Sequence, residues 1–370
     1  MSTTTETPAP RPPSGTAPSR GSSLQRPRLP RWAPALVALG SVAAAALLGL
    51  LLGWGLLATG FVALLLFVVL MPVWSLVVEN RRAAVDRLMT SLVWSAFLVA
   101  LVPLLSLIWT VVSKGAPQVN ATFLTFSQFR TDLSQPVGIY HALVGTLLIT
   151  LGATAIAVPI GIFTAINIVE YGEKGRLARS ITFLVDVMTG IPSIVAGLFA
   201  FALWILLFGP SARAGLGGSI ALAILMIPIV VRSTEEMLRL VPNDLREASY
   251  ALGVPKWRTI AKVVLPTALG GIVTGVTLAI ARVVGETAPL LLIAGLTTRT
   301  NFNLFDGRMT TLPVLIFTQN ANPGIPPPGG GEPPGIGIAW GGAFVLIVIV
   351  MLLNLVARVV GKYFAPKTGH

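Results

Sequence analysis

Apolar runs of about 20 residues recur along this chain, and a helix of that length crosses about 30 Å of hydrocarbon. Hydrophobic residues make up 54% of the 370 residues and charged residues only 11%, with a mean hydropathy of +0.82. A chain of this composition can bury its apolar surface only in lipid. The sequence therefore predicts an all-α polytopic membrane protein and excludes a soluble enzyme.

The apolar runs predict about eight transmembrane spans. Only Gly53 and Trp54 separate the first two, so residues 32–80 are expected to form a tight helical hairpin, with one long interfacial helix as the alternative. The fourth and fifth runs exceed the bilayer thickness and are expected to tilt or protrude. The predicted spans are Ala33–Leu52, Gly55–Val78, Met89–Val112, Ile139–Ile168, Ile181–Phe208, Gly217–Val231, Leu269–Leu296 and Ile338–Val360.

The basic residues predict how the chain is oriented in the membrane. Of the 26 lysines and arginines, 20 lie in the N-terminal tail, in alternate loops and at the C-terminus. Because positive residues concentrate on the cytoplasmic side, both termini are expected there, with Lys114–Gly138 and Thr297–Gly337 outside. The charges are dispersed between apolar runs, so the net charge of +12 does not indicate a nucleic-acid partner.

Residues 1–31 are rich in Pro, Ser, Thr and Arg and contain no apolar run. Such a segment buries too little surface to offset the entropy lost on ordering, so we expect a disordered cytoplasmic tail and no cleaved signal. Cysteine is absent, and the two histidines, His141 and His370, are far apart. We therefore expect no metal site and no bound cofactor.

The polar stretch Leu245–Pro266 has the pattern of two short helices separated by a break. Asp244 with Glu247 three residues later predicts a capping box at the start of the first helix. Gly253 followed by Pro255 predicts its end and the start of the second helix.

This stretch resembles the signature of binding-protein-dependent ABC importer permeases, which has Glu-Ala-Ala, a following Gly and then Ile and Leu-Pro. The matching residues are Glu247, Ala248, Gly253, Ile260, Leu265 and Pro266, and Ser249 stands where the family has a second alanine. The resemblance implies that Glu247–Gly253 is a coupling helix that docks on an ATPase subunit. The alternative is an ordinary amphipathic connector at the membrane surface. No G-x-x-x-x-G-K-[ST] loop occurs in the sequence, so ATP binding is expected on a partner.

The seventh predicted span contains Arg282 and, four residues later, Glu286. In a continuous helix they lie on one face, where either charge alone costs about 2.5 to 3.5 kcal/mol at mid-membrane. We predict an ion pair in which Arg282 offers a fork to a passing oxyanion and Glu286 balances its charge. A purely structural pair is the alternative. Asp186 in the fifth span is interpreted either as a pathway or helix-pairing residue or as one that reaches water.

Four motifs resemble the PstA-type permease subunits of phosphate-specific ABC importers. The first is Ala281–Leu290, which follows the pattern Ala-Arg-x-x-Gly-Glu-Thr-Ala-Pro-Leu of those subunits, and the others are Gly145–Leu147, Gly190–Gly197 and Thr311–Val314. The resemblance implies a permease domain over residues 89–362, most typical over 139–362, with a six-helix type I importer core. It places a coupling loop at 232–266 and an outer loop at 297–337. The first two spans are additional to that core.

The resemblance also implies a function: the pore subunit of an ATP-driven phosphate importer in a bacterial plasma membrane, without enzymatic activity of its own. The implied partners are a homologous PstC-like permease, two ATP-binding subunits and an external phosphate-binding protein. One alternative is a permease for another oxyanion or small solute. Another is an ion-coupled secondary transporter that uses Arg282 and Glu286 as a relay. A membrane enzyme is a weaker alternative, because the spans contain no nucleophile and base constellation.

Overall fold

The computed structural model describes residues 29–129, 136–172, 175–209 and 212–364. Within these ranges the secondary structure is helical, apart from one isolated parallel bridge between Ala214 and Gly307. The all-α prediction is confirmed, and the predicted disordered tail lies outside the described residues as far as residue 28. The helices are α1 (Ala33–Leu52), α2 (Leu56–Val78), α3 (Arg81–Gly115), α4 (Ala121–Thr125), α5 (Tyr140–Ile166), α6 (Arg176–Thr189), α7 (Ser193–Phe208), α8 (Gly215–Arg239), α9 (Asn243–Ala251), α10 (Lys256–Thr259), α11 (Leu265–Val284), α12 (Ala288–Ile293), α13 (Leu312–Ala321) and α14 (Pro334–Phe364).

Seven of the described helical segments are long and apolar enough to cross a membrane, and the pair α6 and α7 makes an eighth if it counts as one span. The prediction of about eight spans is therefore confirmed. Two spans extend through π-helical turns. Asn167–Tyr171 continues α5, and Ile260–Val264 joins α10 to α11.

The chain divides into two compact units, and the first extends to Ser106. In its described part, α1 and α2 pack along each other as an antiparallel hairpin. Ala33 and Val37 near the start of α1 are buried with Met71 near the end of α2. Many leucines on both helices stay exposed, as expected for helices surrounded by lipid.

A carboxylate fixes the open end of this hairpin. The Glu79 side chain accepts a hydrogen bond from the Leu29 backbone N–H at 2.8 Å and another from the Ser75 hydroxyl at 2.6 Å. The Ser75 hydrogen bond is the main cause that lowers the pKa of Glu79 below its usual value. The charged carboxylate therefore ties the chain that enters α1 to the end of α2.

The second unit has its core between α5 and α8. The Ser219 hydroxyl on α8 donates a hydrogen bond to the Ile149 carbonyl oxygen on α5 at 3.0 Å. Small residues such as Ala153 let the two backbones approach closely, as is common between membrane helices. The buried side chains of this core include Ile149, Ala153 and Ala157 from α5, Leu222, Met226 and Val230 from α8, Ala279 and Val283 from α11, and Leu290 from α12.

The fifth predicted span, Ile181–Phe208, is wrong as a single tilted helix. The structure breaks it into α6 and α7, which meet at an angle of 112°. The break lies at Gly190–Pro192, because Pro192 has no N–H to donate and forces the preceding residue out of helical conformation. α6 is amphipathic, with Ala178 and Val185 buried on one side.

The seventh predicted span, Leu269–Leu296, is also wrong in its second half. α11 ends at Val284, and the short helix α12 begins only at Ala288. Glycine favours helix ends, and the ring of Pro289 would clash with the carbonyl of Gly285 in a continuous helix. The chain therefore bends where the sequence analysis predicted an unbroken helix.

The segment 297–337 contains more structure than an irregular loop. α13 lies within it, and Leu312 and Leu315 at its start are buried against α5 and α14 side chains. The proline- and glycine-rich residues before Pro334, where α14 begins, are not helical. Only this latter part matches the expected loop.

Candidate coupling site and substrate path

The short helix α9 lies where the first of the two short helices was predicted, and it ends as predicted. Gly253 follows it with a φ of +74°, a left-handed conformation that favours glycine. The predicted capping box is wrong, because α9 begins at Asn243 after Pro242 and has no side-chain cap. Asp244 instead lies in the first turn, where a negative charge is favoured by the helix dipole.

The predicted coupling residues are on opposite sides of α9. Glu247 and Ala248 are exposed, whereas Ser249 is buried. The Ser249 hydroxyl is hydrogen-bonded to that of Thr259 at 2.8 Å, at the end of α10. Ser249, which stands where the family has a second alanine, therefore links α9 to α10 on the buried side of the turn between them.

Arg246, which the sequence analysis missed, anchors α9 to the rest of the unit. Its Nε and Nη2 atoms donate to Glu170 Oε1 at 3.1 and 2.8 Å. Nη2 also donates to the Leu238 carbonyl at 2.9 Å, and Nη1 donates to the Val241 carbonyl at 2.6 Å and to Asn243 Oδ1 at 3.2 Å. The guanidinium thus joins α9 to the ends of α8 and α5.

A second charge cluster joins α6 to α8. Arg232 is paired with Asp186 on α6 and, through Nη1 at 2.6 Å, with Glu235. Glu235 is buried and also accepts from Arg239 Nη2 at 2.9 Å. Of the interpretations offered for Asp186, this geometry supports helix pairing.

The predicted ion pair of the seventh span does not form. Arg282 lies in the last turn of α11 and is exposed, and Glu286 lies beyond the helix end and is partly buried. Both belong to the described range 212–364, where no ion pair joins them. The break at Gly285 removes the helical turn that would have placed them on one face.

The other motifs meet in two places, one of them beside this break. The Thr146 hydroxyl on α5 accepts a hydrogen bond from the Leu312 backbone N–H at 2.8 Å, which joins the motifs Gly145–Leu147 and Thr311–Val314. Gly197 on α7 faces Pro289, and a Cβ atom at this glycine would lie 2.7 Å from the proline Cα. The motifs therefore brace α12 and α13 against α7 and α5.

Two cavities of about 560 and 570 Å³ flank the segment 296–310. Thr297 and Arg299 are among the residues that line one, and Trp204 and Arg308 are among those that line the other. Neither is lined by the predicted pathway residues. Within the described ranges, no group of three or more His, Asp or Glu side chains is placed to hold a metal ion.

A family model described as the binding-protein-dependent transport system inner membrane component matches residues 157–370. The matched range begins inside α5 and includes α9. It therefore contains the Arg246 cluster, the Arg232 cluster and the break between α11 and α12.

Two curated relatives match most of the chain. The phosphate transport system permease protein PstA 1 of Mycobacterium tuberculosis (strain CDC 1551 / Oshkosh) is 46% identical over 282 residues, 76% of this chain and 90% of the relative. The phosphate transport system permease protein PstA of Pasteurella multocida (strain Pm70) is 37% identical over 287 residues, 78% of this chain and 97% of the relative.

The fold also resembles a solved structure. The crystal structure of a bacterial alginate ABC transporter, in complex with an alginate pentasaccharide-bound periplasmic protein, contains a chain that matches 77% of this one and 97% of its own length. The TM-score is 0.55 and the sequence identity 13%. At that identity the similarity concerns the fold alone.

Proposed function

This chain belongs to the family of binding-protein-dependent transport system inner membrane components, and on that premise we propose that it forms one half of the pore of an ATP-driven phosphate importer. The PstA relatives support phosphate as the cargo. A permease of this family acts with an ATPase and a substrate-binding protein. ATP hydrolysis is therefore a reaction of its partners.

The observation that carries the proposal is the construction of α9. Its exposed side presents Glu247 and Ala248, while Arg246 and Ser249 attach its other side to the chain. A helix that is exposed on one side and anchored on the other can bind another protein and transmit the movement of that protein to the rest of the chain. This is the geometry expected of a coupling helix, whereas an ordinary connector needs no such anchor.

The exposure of Arg282 supports a place on the substrate path. In a pore built from two permeases, residues of the path are exposed in each chain alone, because the opposite wall belongs to the other subunit. If Arg282 faced lipid, its charge would cost about 2.5 to 3.5 kcal/mol. Facing the pore, its planar fork can donate two hydrogen bonds to phosphate oxygens. Glu286, on the other side of the break, offers a compensating charge when no anion is present.

The proposed partners follow from the family. They are a homologous PstC-like permease, two ATP-binding subunits and an external phosphate-binding protein. Because cellular ATP is cytoplasmic, α9 lies on the cytoplasmic side. With eight spans, both termini lie on that side as well, and Thr297–Gly337 lies outside. The assembly resides in a bacterial plasma membrane.

The proposed cycle requires no covalent chemistry on this chain. ATP binding closes the two ATP-binding subunits and moves α9 of each permease, and the pore opens outward to receive phosphate. Hydrolysis releases the closed state and resets the pore inward. Arg282 binds the anion transiently as it crosses the pore, and the nearby negative charge of Glu286 keeps this binding weak enough for release.

Uptake of labelled phosphate into proteoliposomes tests this proposal. Vesicles that contain the complete complex, with ATP on the α9 side and loaded binding protein on the opposite side, are expected to accumulate phosphate. Vesicles without the ATP-binding subunits are not. Accumulation without those subunits, driven by an ion gradient, would indicate a secondary transporter that uses Arg282 and Glu286 as a relay. Accumulation of sulfate or another oxyanion in place of phosphate would contradict the cargo alone.

A further inference from the structure

We infer that Arg246 is the positioning residue through which movement of α9 reaches α5, an inference that rests on the proposed function. The backbone already connects α9 to α8 on one side and, through α10, to α11 on the other. α5 has no such connection, because Glu170 beyond its end is 76 residues from Arg246 in the chain. A movement of α9 can act directly on α5 only through side chains.

The Arg246–Glu170 pair has the burial that a mechanical link requires. The side chain of Arg246 is 13% exposed and that of Glu170 only 4%. Charge-assisted hydrogen bonds with two donors hold orientation as well as distance. Apolar side chains of the same size could pack here with similar stability. What the ion pair adds is a defined register between α9 and α5.

The same guanidinium also holds the end of α8. It donates to the carbonyl oxygen of Leu238, which lies in the last turn of α8 and has no partner inside the helix, and to that of Val241 two residues beyond the helix end. One side chain therefore makes α9, α8 and α5 move together. The exposed cation–π contact of Lys256 with Tyr171, at 5.1 Å, adds only a weak second link to α5.

Glu170 belongs to the π-helical turn Asn167–Tyr171. Such turns are less regular than an α-helix and are frequent at functional sites. Further along the same helix, Thr146 holds Leu312 and thereby the start of α13. A displacement received at Glu170 is therefore transmitted to the motifs Gly145–Leu147 and Thr311–Val314.

The test uses the complete complex and measures ATP hydrolysis and phosphate uptake separately. For Arg246→Gln we expect a complex that assembles with lower thermal stability, because Glu170 stays buried without its partner. Basal hydrolysis should remain as in wild type, with uptake reduced about tenfold or more. Stimulation of hydrolysis by the loaded binding protein should fall in parallel. Arg179→Gln, which removes an exposed arginine on α6, is the matched control and should transport normally.

Glu170→Gln breaks the same link from the α5 side and leaves α9 unaltered, so it should give the same separation of hydrolysis from uptake. Normal uptake in an assembled Arg246→Gln or Glu170→Gln complex would overturn the inference. Failure of both variants to assemble would also overturn it, because the pair would then serve folding only. If the wild-type complex itself takes up no phosphate with ATP, the proposed function fails instead.

Discussion

Two charged regions of the second unit are built in opposite ways. Near the ends of α5 and α8, the buried carboxylates of Glu170 and Glu235 are each held by arginines of the same chain. At the break between α11 and α12, Arg282 is exposed and Glu286 partly buried, and no ion pair joins these two described residues. The first region satisfies its charges internally, and the second leaves them available.

The difference separates structure from recognition. A charge that is paired within the chain fixes the position of a helix, and its removal should change stability or coupling. A charge left unpaired in so apolar a chain must be satisfied by something outside it, whether a partner subunit, water or an anion. Arg246 and Asp186 are of the first kind, and Arg282 and Glu247 are charges of the second kind, to which the proposed function assigns recognition.

The largest expected effect belongs to Glu247, an exposed carboxylate of α9. We expect Glu247→Arg to weaken docking of the ATP-binding subunit by about 2 to 5 kcal/mol. The docking surface of that subunit is complementary to a negative charge, and the variant presents a positive charge to it. The measurement is the affinity of the ATP-binding subunit for the purified permease pair. Glu236→Arg makes the same change on an exposed residue of α8 and should leave the affinity unchanged. Equal weakening by both variants would argue against specific docking at α9.

Long apolar runs made the spans predictable, since hydrophobic length alone decides whether a helix can cross a bilayer. The same property hid the bends. Apolar residues lie on both sides of Gly190–Pro192 and of Gly285, although both sites contain residues that end helices. The helix-ending residues were present in the sequence, but the apolar residues on either side of them favoured the prediction of continuous spans.

A smaller effect is expected from Ser249, which is paired with Thr259 without any charge. Ser249→Ala restores the alanine typical of the family and removes one hydrogen bond, so we expect a loss of about 0.5 to 1.5 kcal/mol in stability and normal uptake. Thermal unfolding of the complex and phosphate uptake provide the two readouts. A severe loss of uptake would mean that the hydroxyl takes part in coupling itself.

The smallest effect is expected at Asp186. Its side chain is 57% exposed, and Arg232 keeps Glu235 as a partner when Asp186 is lost. Asp186→Asn should therefore cost only about 0.2 to 1 kcal/mol, and less at high salt. Thermal unfolding at two salt concentrations measures this. A tenfold or larger loss of uptake would instead place Asp186 on the substrate path.

The two-helix motif that contains α9 could be located from the sequence because its residues are close together in the chain. Arg246 could not be given a function, because its partner Glu170 is distant in sequence and nothing local signals the pairing. The Arg282–Glu286 ion pair failed for the opposite reason. Their spacing predicts a shared face only if the helix continues, and it ends at Val284.

Uptake by Arg282→Ala, measured beside ATP hydrolysis in the same proteoliposomes, tests the central claim most directly. We expect the complex to assemble and hydrolyse ATP while phosphate uptake falls about a hundredfold or more, because the donor fork that meets the anion is gone. Arg282→Lys, which keeps the charge without the fork, should retain an intermediate rate. Unimpaired phosphate uptake by Arg282→Ala would contradict the account.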